Sequence, residues 1–180
     1  MNIVKVIRNK YLSSFKPLKF AKKVGVNMAD EKTLFIYGKI NWGSEPWIIT
    51  IGKNVHLTNN IIFITHDGGT LLFRDLIPDL EITKPIIIGS NVYVGNNVIF
   101  LPGVKVGDNV IIGAGSVVTK NVPNNSVIAG VPARVIKTTD EYLEKIKRES
   151  LHLGHLTGKE KDLALKKYFN YKGKSKGIYW

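Results

Sequence analysis

Four histidines are the side chains of this 180-residue chain best suited to proton transfer: His56, His66, His152 and His155. An imidazole has an ordinary pKa of about 6.5, so it exchanges a proton readily near neutral pH. His66 differs from the others because it ends an apolar run and precedes Asp67 and two glycines. Taken alone, a single histidine is more often a surface residue with satisfied hydrogen bonds than a catalyst. Its setting in the sequence must therefore decide between these two interpretations.

The chain contains no cysteine, which excludes a cysteine nucleophile, a thiolate zinc site and a disulfide framework. A zinc site built from three histidines is also disfavoured, because no other histidine lies between His66 and His152. We therefore expect no metal. A chain without cysteine also fits a reducing compartment, and we expect a cytoplasmic location.

A second chemical feature is the stretch Asn-Trp-Gly-Ser-Glu-Pro-Trp at residues 41–47. Aromatic faces and carboxylates commonly hold sugars, and an acceptor site is therefore one interpretation of this stretch. Its two tryptophans could equally fill the interior of the first turns of a repeat. The sequence leaves these two interpretations about even. The candidate acceptor-binding residues are Asn41, Glu45, Trp47 and Asp67.

Six-residue repeats are the elements that would position these side chains. An aliphatic or aromatic residue opens each block, at Ile88, Val94, Phe100, Val106, Ile112 and Val118. A second apolar or small residue takes the fifth place, and Gly or Asn-Asn pairs supply the bends. Two apolar positions in six do not make an amphipathic helix. They fit very short strands whose stacked turns share one core, as in a β-helix.

An external loop interrupts these repeats. The register runs from Ile51 to Phe63, fails for about twenty residues between Gly68 and Pro85, and resumes out of phase at Ile88. The pattern predicts a loop at about 67–85 that leaves the wall of the repeat. A loop of this length inside a compact repeat is usually functional.

The segment 112–123, Ile-Gly-Ala-Gly-Ser-Val-Val-Thr-Lys-Asn-Val-Pro, is followed at 129–137 by Ala-Gly-Val-Pro-Ala-Arg-Val-Ile-Lys. Together they resemble the acetyl-coenzyme A signature of the hexapeptide-repeat acetyltransferases, in particular sugar and capsular polysaccharide O-acetyltransferases of the galactoside and maltose type. The resemblance implies an all-β fold, a left-handed parallel β-helix. It also implies a homotrimer with active sites between subunits, where His66 comes from one subunit and part of the coenzyme groove from its neighbour.

The same resemblance implies the chemistry. His66 stands where the family has its catalytic histidine, just before the external loop. It would take the proton from an acceptor hydroxyl as that hydroxyl attacks the thioester of acetyl-CoA, without an acyl-enzyme. Either Asp67 or a backbone carbonyl would orient the ring. The residues that match the family's coenzyme contacts are Asn96, Ala114, Thr119, Lys120, Arg134 and Lys137.

Other functions stay open at this point. The acceptor group could be an amine on an amino sugar, or the acceptor could be a small molecule such as an antibiotic or serine. The chain could also be a non-catalytic trimeric scaffold whose basic ends bind a partner. Nucleic-acid binding is not expected, because aromatic and basic residues do not interleave along the repeats.

The two ends of the chain carry most of its net charge of +12. Residues 1–32 hold eight Lys or Arg against two acids, and residues 137–180 hold eleven against six. We predict a helical N-terminal cap at 1–33, the β-helix at 34–137, and a helical, basic tail at 138–180. Within the cap, apolar residues at helical spacing indicate a helix over 2–16, which Pro17 ends. Weak contact with a membrane surface is the alternative role of this helix.

Overall fold

The computed structural model describes residues 3–173, apart from the side chain of Lys5. The first two residues of the predicted cap and the last seven of the predicted basic tail, 174–180, lie outside the described residues. The chain divides into two units, Met1–Glu141 and Tyr142–Trp180, and each is described by itself.

The first unit is a parallel β-helix in which each turn contributes three short strands. The first turn holds β1 (Asn27–Met28), β2 (Leu34–Ile36) and β3 (Ile40–Asn41), and the second holds β4 (Ile49–Ile51), β5 (Val55–Leu57) and β6 (Ile61–Phe63). The third holds β7 (Ile86–Ile88), β8 (Val92–Val94) and β9 (Ile99–Phe100), and the fourth holds β10 (Lys105–Val106), β11 (Val110–Ile112) and β12 (Val117–Val118). The wall ends in the hairpin of β13 (Ser126–Gly130) and β14 (Ala133–Thr138).

Stacking of the turns produces three flat faces. The first face has the order β1-β4-β7-β10, the second β2-β5-β8-β11-β13-β14, and the third β3-β6-β9-β12. Every pairing is parallel except that of β13 with β14. The β-helix predicted from the hexapeptide repeats is confirmed.

The core lies inside the wall, where the repeat pattern places it. The residues that open the six blocks are all at most 3% exposed. A stack of three aromatic rings lies in the interior, Trp42 on Phe63 and Phe63 on Phe100, with centroids 5.1 and 4.9 Å apart. Trp42 is 4% exposed, so it fills the first turn and does not face an acceptor.

Asparagines hold the corners of the wall. Asn54, Asn91, Asn109 and Asn125 occupy the same corner in successive turns, with φ between 52° and 56°. Asparagine tolerates this left-handed conformation better than most residues. Each side chain also donates to the next, with Nδ2 to Oδ1 distances of 2.9, 3.0 and 2.9 Å. The bends are therefore hydrogen-bonded from turn to turn through side chains.

The external loop is visible as a change in the number of residues between equivalent positions of successive turns. From β8 to β11 the register advances by 18 residues, whereas from β5 to β8 it advances by 37, which leaves 19 residues outside the wall. The loop contains a 3-10 helix at Gly68–Phe73. It returns beside the wall through a bridge between Thr83 and His66.

The N-terminal segment forms two helices, α1 (Ile3–Phe15) and α2 (Pro17–Val24). The residue that covers the open end of the core is Ala21 of α2, which is fully buried, with Leu18 and Phe20 packed beside it. The capping expected of residues 2–16 is thus provided by α2. Pro17 ends α1 but also begins α2, because proline is well tolerated in the first turn of a helix.

Two further helices follow the wall. α3 (Thr139–Glu149) starts with a capping box, in which Glu141 accepts from the backbone N–H of Thr138 and Thr138 Oγ1 accepts from that of Glu141. α4 (Gly158–Tyr168) lies in the second unit. Within residues 3–173, no helix has the length and apolar character needed to cross a membrane.

Candidate active site

His66 lies at the corner that follows the third face, three residues after the end of β6. Its backbone is fixed by the returning end of the external loop, since Asp67 N donates to Ile82 O and Lys84 N donates to Thr65 O, both at 2.9 Å. The His66 side chain is 41% exposed. The loop therefore holds the backbone on both sides of the histidine while its ring stays accessible.

The His66 ring contacts a carboxylate from the turn below. Its Nδ1 lies 3.1 Å from Glu45 Oε2, and the same oxygen accepts a hydrogen bond from the Thr65 hydroxyl. The turn that carries Glu45 approaches Thr65 closely because it contains Gly43. A Cβ at Gly43 would stand 2.7 Å from the Phe63 carbonyl oxygen, and its φ of 70° is unfavourable for other residues.

These hydrogen bonds determine the charge of Glu45. The hydrogen bond from Thr65 lowers the pKa of Glu45 below its ordinary 4.5, and the hydrogen bond and charge of His66 lower it further against the opposing effect of burial. Glu45 is therefore ionised at neutral pH. An ionised carboxylate beside Nδ1 keeps the proton on that nitrogen and leaves Nε2 as the free acceptor.

Asp67 does not take the orienting role that was one alternative from the sequence. Its carboxylate caps the 3-10 helix of the loop, where Oδ1 accepts from Gly69 N at 2.9 Å. Because that oxygen is directed toward its own loop, the ring partner is Glu45, which the sequence had indicated as an acceptor-binding residue.

Two cavities meet at His66. One, of about 220 Å³, is polar and is bordered by Glu45, Asp67 and the ion pair Arg74–Glu81, whose atoms are 2.5 Å apart. The other, of about 390 Å³, extends along the same corner past Leu101 and Pro102 to Thr119. The histidine can therefore contact one molecule on each side.

The predicted coenzyme residues divide between two corners. Thr119 and Lys120 follow β12 at the His66 corner, and Lys120 shares a cavity of about 200 Å³ with Arg134 of the final hairpin. Asn96 and Ala114 lie at the corner between the second and third faces, where Asn96 Oδ1 accepts from Asn59 N at 3.0 Å. Lys137 is half-buried on β14.

Known proteins resemble this chain over most of its length. Residues 85–120 match the family described as bacterial transferase hexapeptide (six repeats). The chain is 41% identical over 144 residues to Protein CapG of Staphylococcus aureus, covering 80% of this chain and 84% of CapG. It is 40% identical over 112 residues to the galactoside O-acetyltransferase of Escherichia coli (strain K12), covering 59% of this chain and 54% of that enzyme. The chain belongs to the hexapeptide-repeat acetyltransferase family.

This acetyltransferase also resembles solved structures. A galactoside acetyltransferase in complex with coenzyme A superposes with a TM-score of 0.55 at 27% identity, covering 77% of this chain and 82% of that one. The maltose O-acetyltransferase from Clostridium difficile 630 gives a TM-score of 0.52 at 27% identity, with 76% and 89% covered. The β-helix is therefore left-handed, as the resemblance implied.

Two of the predicted acceptor residues of the acetyltransferase lie away from the His66 ring. Asn41 Oδ1 accepts from Gly43 N at 3.0 Å and so shapes the turn that carries Glu45. Trp47 is 59% exposed and lines neither cavity that contains His66. Its backbone carbonyl accepts from Asn27 Nδ2 at 2.7 Å.

Three residues of the site were not among the predicted ones: Thr65, Arg74 and Glu81. Thr65 could have been recognised from the sequence, because it is a polar residue at a position of the repeat that faces inward. The structure buries it completely. A buried hydroxyl requires a partner, and the 21-residue register between β3 and β6, which only the structure reveals, places Glu45 one turn below position 66.

Among residues 3–173, no group of three or more His, Asp or Glu side chains is placed to hold a metal ion.

Proposed function

We propose that this acetyltransferase moves an acetyl group from acetyl-CoA to a hydroxyl of a sugar or surface-polysaccharide precursor. The observation that carries the proposal is the Glu45–His66 pair between two cavities, one of which extends to Thr119. A galactoside and a maltose O-acetyltransferase are among its relatives, which favours a sugar hydroxyl over an amine.

His66 acts as the general base in this proposal. The acceptor hydroxyl donates a hydrogen bond to Nε2 and attacks the thioester carbonyl, and its proton passes to Nε2 as the new C–O bond forms. The C–S bond then breaks, and the imidazolium returns the proton to the departing sulfur. Glu45 stabilises the imidazolium that exists between these two steps. We propose direct transfer, because this sequence of steps needs no acyl-enzyme and the chain has no cysteine that would suggest one.

The coenzyme lies along the corner above His66 in this arrangement. Lys120 and Arg134, which share a cavity, bind its phosphates, Lys120 as a point charge and Arg134 through its planar fork. Thr119 lies in the cavity that His66 also borders, which supports a position of the acetyl end of the coenzyme beside the ring. The roles of Asn96, Ala114 and Lys137 stay predictions.

We further propose that the enzyme is a homotrimer with sites between subunits, and that it is cytoplasmic. The trimer is typical of the family. A chain without cysteine is compatible with a reducing compartment.

The substitution His66→Asn tests the proposed base. Release of the coenzyme A thiol is followed with a thiol reagent on a panel of sugars, and the protein itself adds no thiol background because it lacks cysteine. We expect the rate to fall by about 10²- to 10⁴-fold. The matched control is His56→Asn, because His56 lies on the outer surface of β5 against the ring of Phe35 and borders neither cavity.

Thermal melting with acetyl-CoA distinguishes loss of catalysis from loss of binding. The His66→Asn protein should retain the stabilisation by acetyl-CoA, which is roughly 2.7 kcal/mol at about 100 times the dissociation constant. Full activity of a folded His66→Asn protein would refute the general base. No melting shift of the wild type at millimolar acetyl-CoA would favour the scaffold interpretation instead.

A further inference from the structure

Helix α1 exposes an apolar face that the β-helix does not use. Ile3, Ile7, Tyr11 and Phe15 recur every four residues and are 71%, 63%, 50% and 73% exposed. The rings of Tyr11 and Phe15 are in contact, with centroids 5.2 Å apart, so the face is continuous along the helix. Because Ala21 of α2 already closes the open end of the core, packing against the wall does not account for this face.

The charge around this face has one sign. Residues 1–29 contain seven Lys or Arg and no Asp or Glu, and of these Lys22, on α2, is paired with Glu31 at 2.6 Å. Arg8 and Lys10 are exposed and border the apolar face on its two sides, and Lys16 and Lys19 are exposed just beyond it. A helix that lies in the interface of an anionic bilayer typically has apolar residues on one side and basic residues beside them.

A second copy of the chain is a poorer match to this surface. A symmetric contact through α1 would bring these basic segments together, with no acid within residues 1–29 to compensate them. The wall and its external loop expose apolar side chains elsewhere that are available for contacts between copies. On the outer side of the second face, Phe35 and Tyr93 are 39% and 46% exposed, and the loop exposes 82% of Leu72.

We propose that α1 docks this enzyme on the surface of an anionic lipid bilayer. The helix lies in the plane of the interface, with Ile3, Ile7, Tyr11 and Phe15 at the boundary of the acyl chains. Arg8 and Lys10 reach the lipid phosphates with their charged ends while their methylene chains stay beside the apolar face. The partner is the bilayer surface itself and not a transmembrane protein.

Co-sedimentation of the full chain with vesicles tests the proposal. Wild type should bind vesicles of phosphatidylglycerol and phosphatidylcholine, and bind much less to phosphatidylcholine alone. The double substitution Ile7→Ser and Phe15→Ser should weaken binding by at least about tenfold, because two side chains lose their burial. Substituting Arg8 and Lys10 by Gln should weaken it by about fivefold for each charge removed. The matched control is Leu163→Ser on α4, which removes an apolar residue that is 67% exposed.

Single cysteines report which face of α1 meets the lipid, and the cysteine-free chain makes each label unique. Phe15→Cys and Ser13→Cys place an environment-sensitive fluorophore two residues apart, roughly 200° around the helix. Addition of anionic vesicles should shift the emission of the label at position 15 to the blue and leave that at position 13 nearly unchanged. Equal shifts at both positions would contradict docking through the apolar face.

Several outcomes would overturn the proposal. One is wild-type protein that ignores anionic vesicles, and another is a Ser double variant that binds them as wild type does. If the Ser double variant instead has a smaller mass by light scattering, a second copy covers this face and not a membrane. None of these variants touches the His66 site, so acetyl transfer to a soluble acceptor remains as a check that each protein is folded.

Discussion

At the scale of single residues, Glu45 has two donors on one carboxylate oxygen. Thr65 contributes from inside the wall, where it is fully buried, and His66 contributes from the corner, where it is accessible. The hydroxyl fixes the carboxylate, and the carboxylate fixes the ring. The orientation of the proposed base is therefore anchored in the core of the β-helix.

Glu45→Gln should lower kcat by roughly 10²- to 10⁴-fold, because a neutral amide neither holds the Nδ1 tautomer nor stabilises the imidazolium. The KM for acetyl-CoA should change little, since Glu45 does not line the cavity that extends to Thr119. The measurement is steady-state kinetics across pH. Asp67→Asn is the matched control, because Asp67 caps the loop helix without touching the ring. A larger effect from Asp67→Asn than from Glu45→Gln would reverse the assigned roles.

Glu45 should also make stability depend on pH in a defined direction. Its pKa is lowered in the folded protein, so the stabilisation it provides is complete above the unfolded value of about 4.5 and is lost as the pH falls through the lowered value. The melting temperature of wild type should exceed that of Glu45→Gln at pH 7, and this difference should shrink below about pH 4.5. A difference that stays constant between about pH 7 and pH 3 would show that the folded pKa is not lowered.

The sequence located His66 but not its partner. The histidine was recognisable because it precedes the break in the repeats and matches a family position. Glu45 was noticed for another reason, its neighbouring tryptophans. The pairing was hidden because the first turn is longer than the later ones: β3 and β6 are 21 residues apart in register, against 18 for β9 and β12. A six-residue pattern contains no information about that extra length.

At the scale of elements, each corner asparagine contributes in two ways: it tolerates the left-handed backbone conformation, and its side chain forms hydrogen bonds between turns. One pair of substitutions separates these two contributions. Asn109 has a φ of 56°, and its side chain links Asn91 to Asn125. Asn109→Gly keeps the backbone conformation and loses only the hydrogen bonds, whereas Asn109→Ala loses both. We expect Ala to cost about 1–2 kcal/mol more than Gly in the free energy of unfolding, because Ala is strained at positive φ.

Equilibrium denaturation of the two Asn109 variants measures this difference. A matched site is Asn121, whose side chain also spans two turns by accepting from Lys105 N at 2.9 Å but which is not among the residues with positive φ. There Ala should cost no more than Gly. If Gly and Ala are equally destabilising at position 109, the hydrogen bonds and not the left-handed backbone conformation determine the choice of asparagine.

The elements were predictable where the repeat is regular and less so where it is not. The inward positions from Ile88 to Val118 follow from the apolar pattern alone, because every block faces the same interior. The N-terminal helices are different. Pro17 predicts the end of the first helix, and α1 does end at Phe15, but the same proline also stands at the first position of α2 and begins a second helix. Local signals of this kind fix a boundary between helices without fixing which helix packs on the core.

At the scale of the whole molecule, the proposed position of the active site between subunits predicts complementation. Two inactive variants should complement each other if His66 of one subunit works with Lys120 of its neighbour. In any trimer that contains both His66→Asn and Lys120→Ala subunits, one of the three interfaces would pair an intact histidine with an intact lysine. Such trimers, co-expressed with two different tags and purified through both, should recover activity at limiting acetyl-CoA that neither parent trimer has.

The geometry is also compatible with an active site formed within a single chain. Thr119 and His66 of the same chain border one cavity, and Lys120 follows Thr119 directly. If both residues serve the site of their own chain, no interface in a mixed trimer is repaired, and activity stays at the level of the two parents. Light scattering must first establish that the wild type is a trimer at micromolar concentration, since a monomer would exclude the shared site outright. Recovery of activity, by contrast, requires both a trimer and a coenzyme that lies across the contact between subunits.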